Sequence, residues 1–257
     1  MKDRFLPGVP GEQIEAIYNA APGKEIASGK FDSPESSAAL AANTFGFFLN
    51  RQGDLPPLPG CEDAEWPATS LALEKEVRFP WKSRWGHPVL DVVTTTSSAL
   101  IGVESKRFEP YRDKPEAHFT DTYWRAVWGN CMNGYQRMRD TLHENESLFA
   151  HLKADQLVKH ALGLWARTRP GKEFAGLNPI LFYLYAEPDF LPNSNKPIDD
   201  EVKSLHRQEI AKFAASVKGD EVRFVACSYR ELLATWERSE NPEIREHARA
   251  VMQRFSP

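Results

Sequence analysis

Long apolar runs, paired cysteines and an apolar N-terminal segment are all missing from this chain. No run approaches the roughly 20 apolar residues that cross a bilayer, and the first residues, MKDRFLPGVPGEQ, lack the apolar stretch of a secretion signal. The 3 cysteines, Cys61, Cys131 and Cys227, form no CxxC pair, so neither a disulfide framework nor a zinc ribbon is indicated. We therefore expect a cytoplasmic protein with no membrane association.

An excess of positive charge is also absent, because the formal net charge of the 257 residues is -4. A protein that coats nucleic acid non-specifically usually has a basic balance, so this charge argues against a histone-like function. It is compatible with a nuclease, whose acidic metal site lowers the net charge while local basic groups hold the phosphates. The motifs GxGxxG, GxSxG and HExxH do not occur, and GKEIASGK (residues 23–30) departs from phosphate-loop spacing.

The first half of the chain predicts a buried helix followed by three strands. In the helix, at residues 33–50, Ser33 is the expected N-cap and Pro34 suits the first helical position. The strand candidates are residues 71–81, 88–96 and 99–108. Alternation between Leu73 and Phe79 indicates one covered face in the first strand. A short TTTSS connection joins the other two as an antiparallel hairpin.

The second half predicts helices that alternate with strands. Helical periodicity marks residues 118–145, 152–168, 199–219 and 230–255, and short apolar strands mark residues 178–188 and 221–229. Strands that alternate with helices in this way form βαβ-like connections. The order therefore predicts an α/β fold with a central mixed β-sheet flanked by helices on both faces.

Three charged side chains lie in the two hairpin strands. Asp91 interrupts the first, and Glu104 and Lys106 close the second, on one face because residues two apart share a face. A hairpin centred on residues 96–98 brings Asp91 roughly opposite Glu104. Two carboxylates beside an ammonium suit Mg²⁺, which takes oxygen ligands and substrate phosphates. The alternative interpretation is a salt-bridged strand end with Asp91 on an exposed face.

This arrangement resembles the signature of the PD-(D/E)XK nucleases, the restriction-endonuclease-like superfamily. Asp91, a spacer and then Glu104-Ser105-Lys106 follow its motif, although the proline of the "PD" lies three residues upstream of Asp91. The phrase LDVVTTTSSALIGVESKRFEPY is also similar to a bacterial group of restriction endonucleases that is known mainly by this motif. The resemblance implies a Mg²⁺-dependent DNA endonuclease of restriction or defence type, in which Mn²⁺ can substitute. It makes Asp91 and Glu104 metal ligands, the Ser105 carbonyl a further ligand and Lys106 the catalytic lysine.

The resemblance also implies a domain division and further site residues. Residues 1–32 form an N-terminal arm and 33–257 a single nuclease-like domain, with the core at about 33–230 and a C-terminal helix at 230–255. Many members carry an acid on the first core helix, which Glu35 matches, although a first-turn acid also suits a helix N-terminus. A further branch carries Gln-x-x-x-Tyr on a helix, where this chain offers Gln156, Lys159 and His160. Gln156 and His160 share a helix face.

Several basic residues suit contacts with a DNA backbone. They are Arg107, Arg112, Lys114, Arg137, Arg139, Arg167, Arg169 and Lys172. One site per subunit implies a homodimer if the enzyme cuts both strands of a duplex. Two other functions stay open: a catalytically inactive DNA-binding or interaction protein that retains the fold, and a metal-dependent nuclease on RNA.

Overall fold

The computed structural model describes residues 4–79, 87–112, 117–192, 194 and 196–257, and the centre of this part is a mixed β-sheet. Its five strands are β1 (Ser70–Glu76), β2 (Val89–Thr95), β3 (Ala99–Lys106), β4 (Asn178–Tyr185) and β5 (Arg223–Ser228). They lie in the order β1-β2-β3-β4-β5. The pairs β1–β2 and β2–β3 are antiparallel, whereas β3–β4 and β4–β5 are parallel.

Helices cover both faces of the sheet. The described helices are α1 (Gly11–Ala20), α2 (Ser37–Gly46), α3 (Asn133–Glu144), α4 (Ala154–Arg167), α5 (Asp200–Val217), α6 (Tyr229–Trp236) and α7 (Pro242–Phe255). One hydrophobic cluster joins α1, α2, α6 and α7 to the first face, and a second joins α3, α4 and α5 to the other. The predicted α/β fold, with its mixed sheet and two helical layers, is confirmed.

The N-terminal residues pack into the first of these clusters. Ile14 and Tyr18 of α1 are fully buried, and Phe31 places its ring 5.0 Å from that of Tyr18. The Tyr18 hydroxyl donates to the carbonyl of Ala38 on α2, at 3.2 Å. The segment predicted as an arm therefore contributes side chains to the core. Its first three residues, 1–3, lie outside the described part.

Three predicted helices differ in extent from those observed. Helix α2 begins after Ser36, whose hydroxyl accepts from the Ala39 N–H at 3.0 Å, so Ser33 is not the N-cap. In the segment 118–145 only α3 is α-helical, because a turn at Gly129 (φ 65°) and short 3-10 turns occupy residues 121–132. The C-terminal segment 230–255 forms two helices, α6 and α7, because Asn241 caps a new helix with Pro242 at its first position.

Strand β1 also departs from its prediction, since it has no single covered face. Leu73 packs in the first cluster, whereas Val77 packs in the second and Lys75 lies 5.9 Å from the Phe174 ring on that side. The change occurs at Glu74, whose φ of 50° is in the left-handed region that few side chains adopt within a strand. Residues 80 and 81 of the predicted strand lie outside the described part of the chain.

Candidate active site

Asp91 and Glu104 lie across from each other on the two central strands of the antiparallel hairpin. Val92 pairs with Val103, and the same register continued by one residue sets Asp91 opposite Glu104. Here a side chain replaces the main chain as the hydrogen-bond acceptor between the strands, because the Ser105 N–H donates to Asp91 Oδ2 at 2.7 Å. The register predicted from the hairpin length is therefore present, and Asp91 is fixed to the backbone of the Glu104 strand.

Two basic groups hold the Glu104 carboxylate. Lys106 Nζ lies 2.5 Å from Oε1, and His160 Nδ1 on α4 lies 3.0 Å from Oε2. Glu104 and His160 are both buried, with side chains 2% and 4% exposed. Each oxygen of Glu104 thus has a basic group within 3.0 Å, and Lys106 lies on the same face as Glu104, as predicted from the spacing.

A glycine explains why α4 reaches Glu104. Gly102 and Glu104 share a strand face, and a Cβ on Gly102 would lie 2.9 Å from Leu164 on α4. Without that Cβ the helix can approach the sheet closely. Since Leu164 and His160 are one helical turn apart, seating Leu164 over Gly102 brings His160 over Glu104.

The Ser105 side chain points to the opposite face of the sheet. Its hydroxyl lies 2.7 Å from the Tyr229 hydroxyl on α6, and both residues are buried. This agrees with the alternation expected of a strand. The Ser105 side chain therefore takes no part in the carboxylate site, and only its main chain faces that site.

The two central carboxyl groups, Asp91 and Glu104, have pKa values shifted in opposite directions. Burial, and then the charge of Glu104, raises the pKa of Asp91 well above its ordinary value. Burial acts in the same direction on Glu104, but Lys106 and His160 outweigh it and lower its pKa to about 2. Burial disfavours the charge on Lys106, yet the Glu104 carboxylate outweighs it and raises the Lys106 pKa. Glu104 and Lys106 therefore form an ion pair, beside an Asp91 that readily accepts a proton.

Glu74 is a third carboxylate at this site, and it was not among the residues predicted from the sequence. The β1–β2 register, with Leu73 opposite Val92 and Lys75 opposite Leu90, sets Glu74 across from Asp91. Burial, then Glu25 and Glu104, raise the Glu74 pKa to about 7. The signal in the sequence was weak, because Glu74 stands in an ordinary polar position of an alternating strand.

The alternation of β2 changes at Asp91 as that of β1 does at Glu74. Leu90 packs in the second cluster and Val92, two residues later, in the first. We refer to this paired change, at Glu74 and Asp91, as the crease of the sheet. Glu74 and Asp91, the two acids at the crease, are part of neither hydrophobic cluster.

An open cavity of about 470 Å³ contains these groups. It lies near the N-termini of α2 and α4, and its charged lining residues are Glu25, Lys30, Glu35, Glu74, Asp91, Glu104, Lys106, Glu109 and Arg112. Six are acids and three are cations. Glu109 is engaged with the protein itself, since it accepts from the Ser37 hydroxyl at 2.7 Å and from the Arg107 N–H at 2.8 Å.

The predicted accessory residues do not all reach the cavity. Glu35 lines it and forms an ion pair with Arg112, and Gln156 lines it from the first turn of α4. Lys159 is directed elsewhere, because its Nζ lies 2.7 Å from Asp155 and 5.3 Å from the ring centre of Phe119. Gln156 and His160 thus share the helix face at the site, while Lys159 does not.

Most of the basic residues suggested for DNA contacts are occupied within the protein. Arg107 is buried and donates to the carbonyls of Pro34 and Phe255, so its assignment as a DNA contact is wrong. Arg139 is likewise buried and donates to the Tyr123 carbonyl. Arg112, Arg167 and Arg169 form ion pairs with Glu35, Glu173 and Glu221 respectively. Lys114 lies outside the described residues.

The second Glu-x-Lys of the sequence, at Glu201 and Lys203, lies on helix α5 as expected. Lys203 Nζ lies 3.2 Å from Asp189, and neither Glu201 nor Lys203 lines the cavity that contains Glu104. The strand context of Glu104 and Lys106 therefore distinguishes the two copies.

The donor set at the crease fits Mg²⁺ better than a transition metal. In the described part of the chain, no three His, Cys, Asp or Glu side chains are arranged to hold a metal ion together. Mg²⁺ needs fewer protein ligands, since one or two carboxylates with waters and a substrate phosphate suffice. Asp91, with its raised pKa, is the kind of carboxyl whose charge a bound cation would stabilise.

A five-stranded mixed sheet between two helical layers, with acids at the ends of its central hairpin, defines a restriction-endonuclease-like α/β protein. The chain belongs to the family described as Restriction Endonuclease associating with ARP, whose model matches residues 14–253. No curated protein and no solved structure matches it. The family's name indicates a nuclease-type function. Among the described residues, no helix has the length and apolar character to cross a membrane.

Proposed function

We propose that this protein is a Mg²⁺-dependent endonuclease of the PD-(D/E)XK superfamily that hydrolyses phosphodiester bonds in DNA. One observation carries the proposal: Asp91, on β2, lines the same cavity as Glu104 and Lys106, on β3. Membership of a restriction-endonuclease family gives independent support. The same family name supports a restriction or defence role.

The carboxylates of Asp91 and Glu104, with the main-chain carbonyl of Ser105, would hold the metal ion. Bound there, Mg²⁺ would supply positive charge for the phosphoryl oxygens and lower the pKa of a water molecule. Mn²⁺, which also takes carboxylate, carbonyl and water ligands, is the expected substitute.

Lys106 supplies a second positive charge at the site. Its raised pKa keeps the amino group protonated at neutral pH, so it acts through charge and hydrogen bonding rather than as a base. A preorganised ammonium beside the scissile phosphate stabilises the negative charge that develops on its oxygens. Its contact with Glu104 Oε1 keeps it in place.

His160 and Gly102 are positioning residues. His160 holds the second oxygen of Glu104, and Gly102 lets α4 approach near enough for that contact. Replacing a group that orients a metal ligand typically lowers metal affinity about 10- to 100-fold. They link the packing of α4 on the sheet to the chemistry of the site.

Cleavage of plasmid DNA tests the proposal. We expect nicking by the wild type in Mg²⁺ or Mn²⁺ and none in EDTA. Glu104→Gln and Lys106→Ala should abolish it while the proteins remain folded. Glu201→Gln is the matched control, because it alters the other Glu-x-Lys of the chain, on an exposed helical turn.

Other results would identify the alternatives. Equal DNA retention by the wild type and both variants, with no cleavage in either metal, would support a non-catalytic DNA-binding protein. Cleavage of RNA but not of DNA would identify RNA as the substrate. Cleavage that survives Glu104→Gln would place the active site elsewhere.

We also propose that the protein acts on duplex DNA as a homodimer, since one site per subunit suits cutting of two strands. Light scattering after size-exclusion chromatography, with and without DNA, measures the assembly. A strictly monomeric protein that makes double-strand breaks would contradict this.

A further inference from the structure

The positive charges of the cavity are not equally available to a substrate. Lys106 is paired with Glu104, and Arg112 with Glu35. Lys30 is exposed and lines the same cavity, and the described residues provide it with no ion-pair partner. A phosphate that binds Lys30 therefore breaks no existing ion pair, whereas one that binds Lys106 or Arg112 competes with a carboxylate.

The loop that carries Lys30 (residues 23–33) is fixed by its own backbone. The Phe31 N–H donates to the Glu25 carbonyl at 3.0 Å, and the Ser33 N–H donates to the Lys30 carbonyl at 3.1 Å. Gly29 provides the positive φ of 76° that this turn requires. Lys30 is thus presented on an ordered backbone.

Tertiary contacts fix the same loop to the rest of the protein. Phe31 is buried against Tyr18, and Asp32 accepts two hydrogen bonds from Arg4, at 2.7 and 2.8 Å. These two anchors come immediately after Lys30. From the other end of the loop, Glu25 also lines the cavity. The loop therefore forms one side of the cavity.

We propose that Lys30 binds a backbone phosphate of the nucleic-acid substrate, beside the phosphate at the carboxylate site. The inference rests on the proposed nuclease function and deepens it. Six acidic residues line the cavity, so a polyanion entering it meets repulsion from those that are ionised, which the metal ion and an unpaired cation would offset. A contact of this kind positions the strand without reading its sequence.

Binding measurements on three variants test the inference. Lys30→Ala removes the ammonium, and Lys30→Arg retains a positive charge. Lys24→Ala is the matched control, because Lys24 is an exposed lysine of the same loop that does not line the cavity. The probes are fluorescein-labelled duplex and single-stranded DNA, followed by fluorescence anisotropy in EDTA and again in Ca²⁺, over a series of salt concentrations.

For Lys30→Ala we expect affinity to fall about three- to fivefold, as for loss of one exposed charge pair. The slope of log K against log salt should decrease by about 0.7–0.9. Lys30→Arg should restore both quantities, and Lys24→Ala should behave as the wild type. In cleavage assays Lys30→Ala should raise KM and leave kcat nearly unchanged.

Equal, small losses in Lys30→Ala and Lys24→Ala would overturn the inference while leaving the nuclease proposal intact. A loss confined to kcat, with affinity and salt slope unchanged, would also overturn it, since Lys30 would then act in the chemistry. A wild-type protein that neither binds nor cleaves nucleic acid would refute the proposed function and this inference together. Unchanged melting temperatures exclude misfolding as the cause.

Discussion

Replacing Asp91 by Asn is expected to stabilise the metal-free protein while removing its metal binding. Burial and the charge of Glu104 raise the pKa of Asp91, so its ionised form opposes folding. Each pH unit between the ordinary carboxyl pKa and the raised native value costs about 1.4 kcal/mol. Asparagine removes this cost and keeps a side-chain oxygen that can accept from the Ser105 N–H.

The sign of the pH dependence follows from the direction of the shift. Above about pH 4 the unfolded chain gives up the Asp91 proton while the native protein retains it. The free energy of unfolding of the wild type therefore falls, relative to that of Asp91→Asn, as the pH rises through this window. The difference should be small near pH 4 and should grow by about 1.4 kcal/mol for each pH unit above it, for as long as the native protein retains the Asp91 proton.

Urea denaturation of both proteins in EDTA, between about pH 4.5 and pH 7.5, measures the difference, because a free carboxyl is largely ionised over this range. Asp54→Asn is the control, since Asp54 is exposed. Adding Mn²⁺ at a hundredfold excess over its Kd should then stabilise the wild type by about 2.7 kcal/mol and Asp91→Asn hardly at all. A stabilisation that does not change with pH, or a less stable Asp91→Asn, would refute the reasoning.

Three further predictions concern other contacts. His160→Gln should weaken Mn²⁺ binding about 10- to 100-fold, as for other groups that orient a metal ligand, measured by titration calorimetry; unchanged affinity would contradict its positioning role. Arg107→Met should lower the free energy of unfolding by about 2–3 kcal/mol, because it removes two charged hydrogen bonds from the interior, and should leave DNA affinity unchanged. Burial lowers the pKa of His206 to about 3 and that of His247 to about 4. Both stay neutral in the native protein while the unfolded chain protonates, so each should cost about 2 kcal/mol of stability at pH 5 relative to pH 7.5. Urea denaturation checks this, and His247→Gln should remove about half of the loss.

The central hairpin was predictable because its evidence is local. β2 and β3 are rich in β-branched and apolar residues, and the short turn between them sets the register that brings Asp91 opposite Glu104. The shared face of Gln156 and His160 also follows from helix geometry alone. Their roles in catalysis remain predictions.

Other parts of the site depend on contacts between distant segments. Alternation cannot reveal the left-handed φ at Glu74, so the strand was assigned one covered face. Nothing near Lys30 or Glu25 in the sequence indicates that their loop packs beside α2. Arg107 follows the motif directly, yet it enters the interior because two carbonyl groups from distant segments accept its hydrogen bonds.

The crease also constrains how this sheet can change during evolution. On either side of Glu74 and Asp91, the strands β1 and β2 contribute to different hydrophobic layers. A single-residue insertion or deletion in one strand would move its apolar side chains to the wrong layer and separate the two acids. Only matched changes in both strands would preserve the packing and the site together. Tolerance to length changes in this pair of strands should therefore be lowest where the acids face each other.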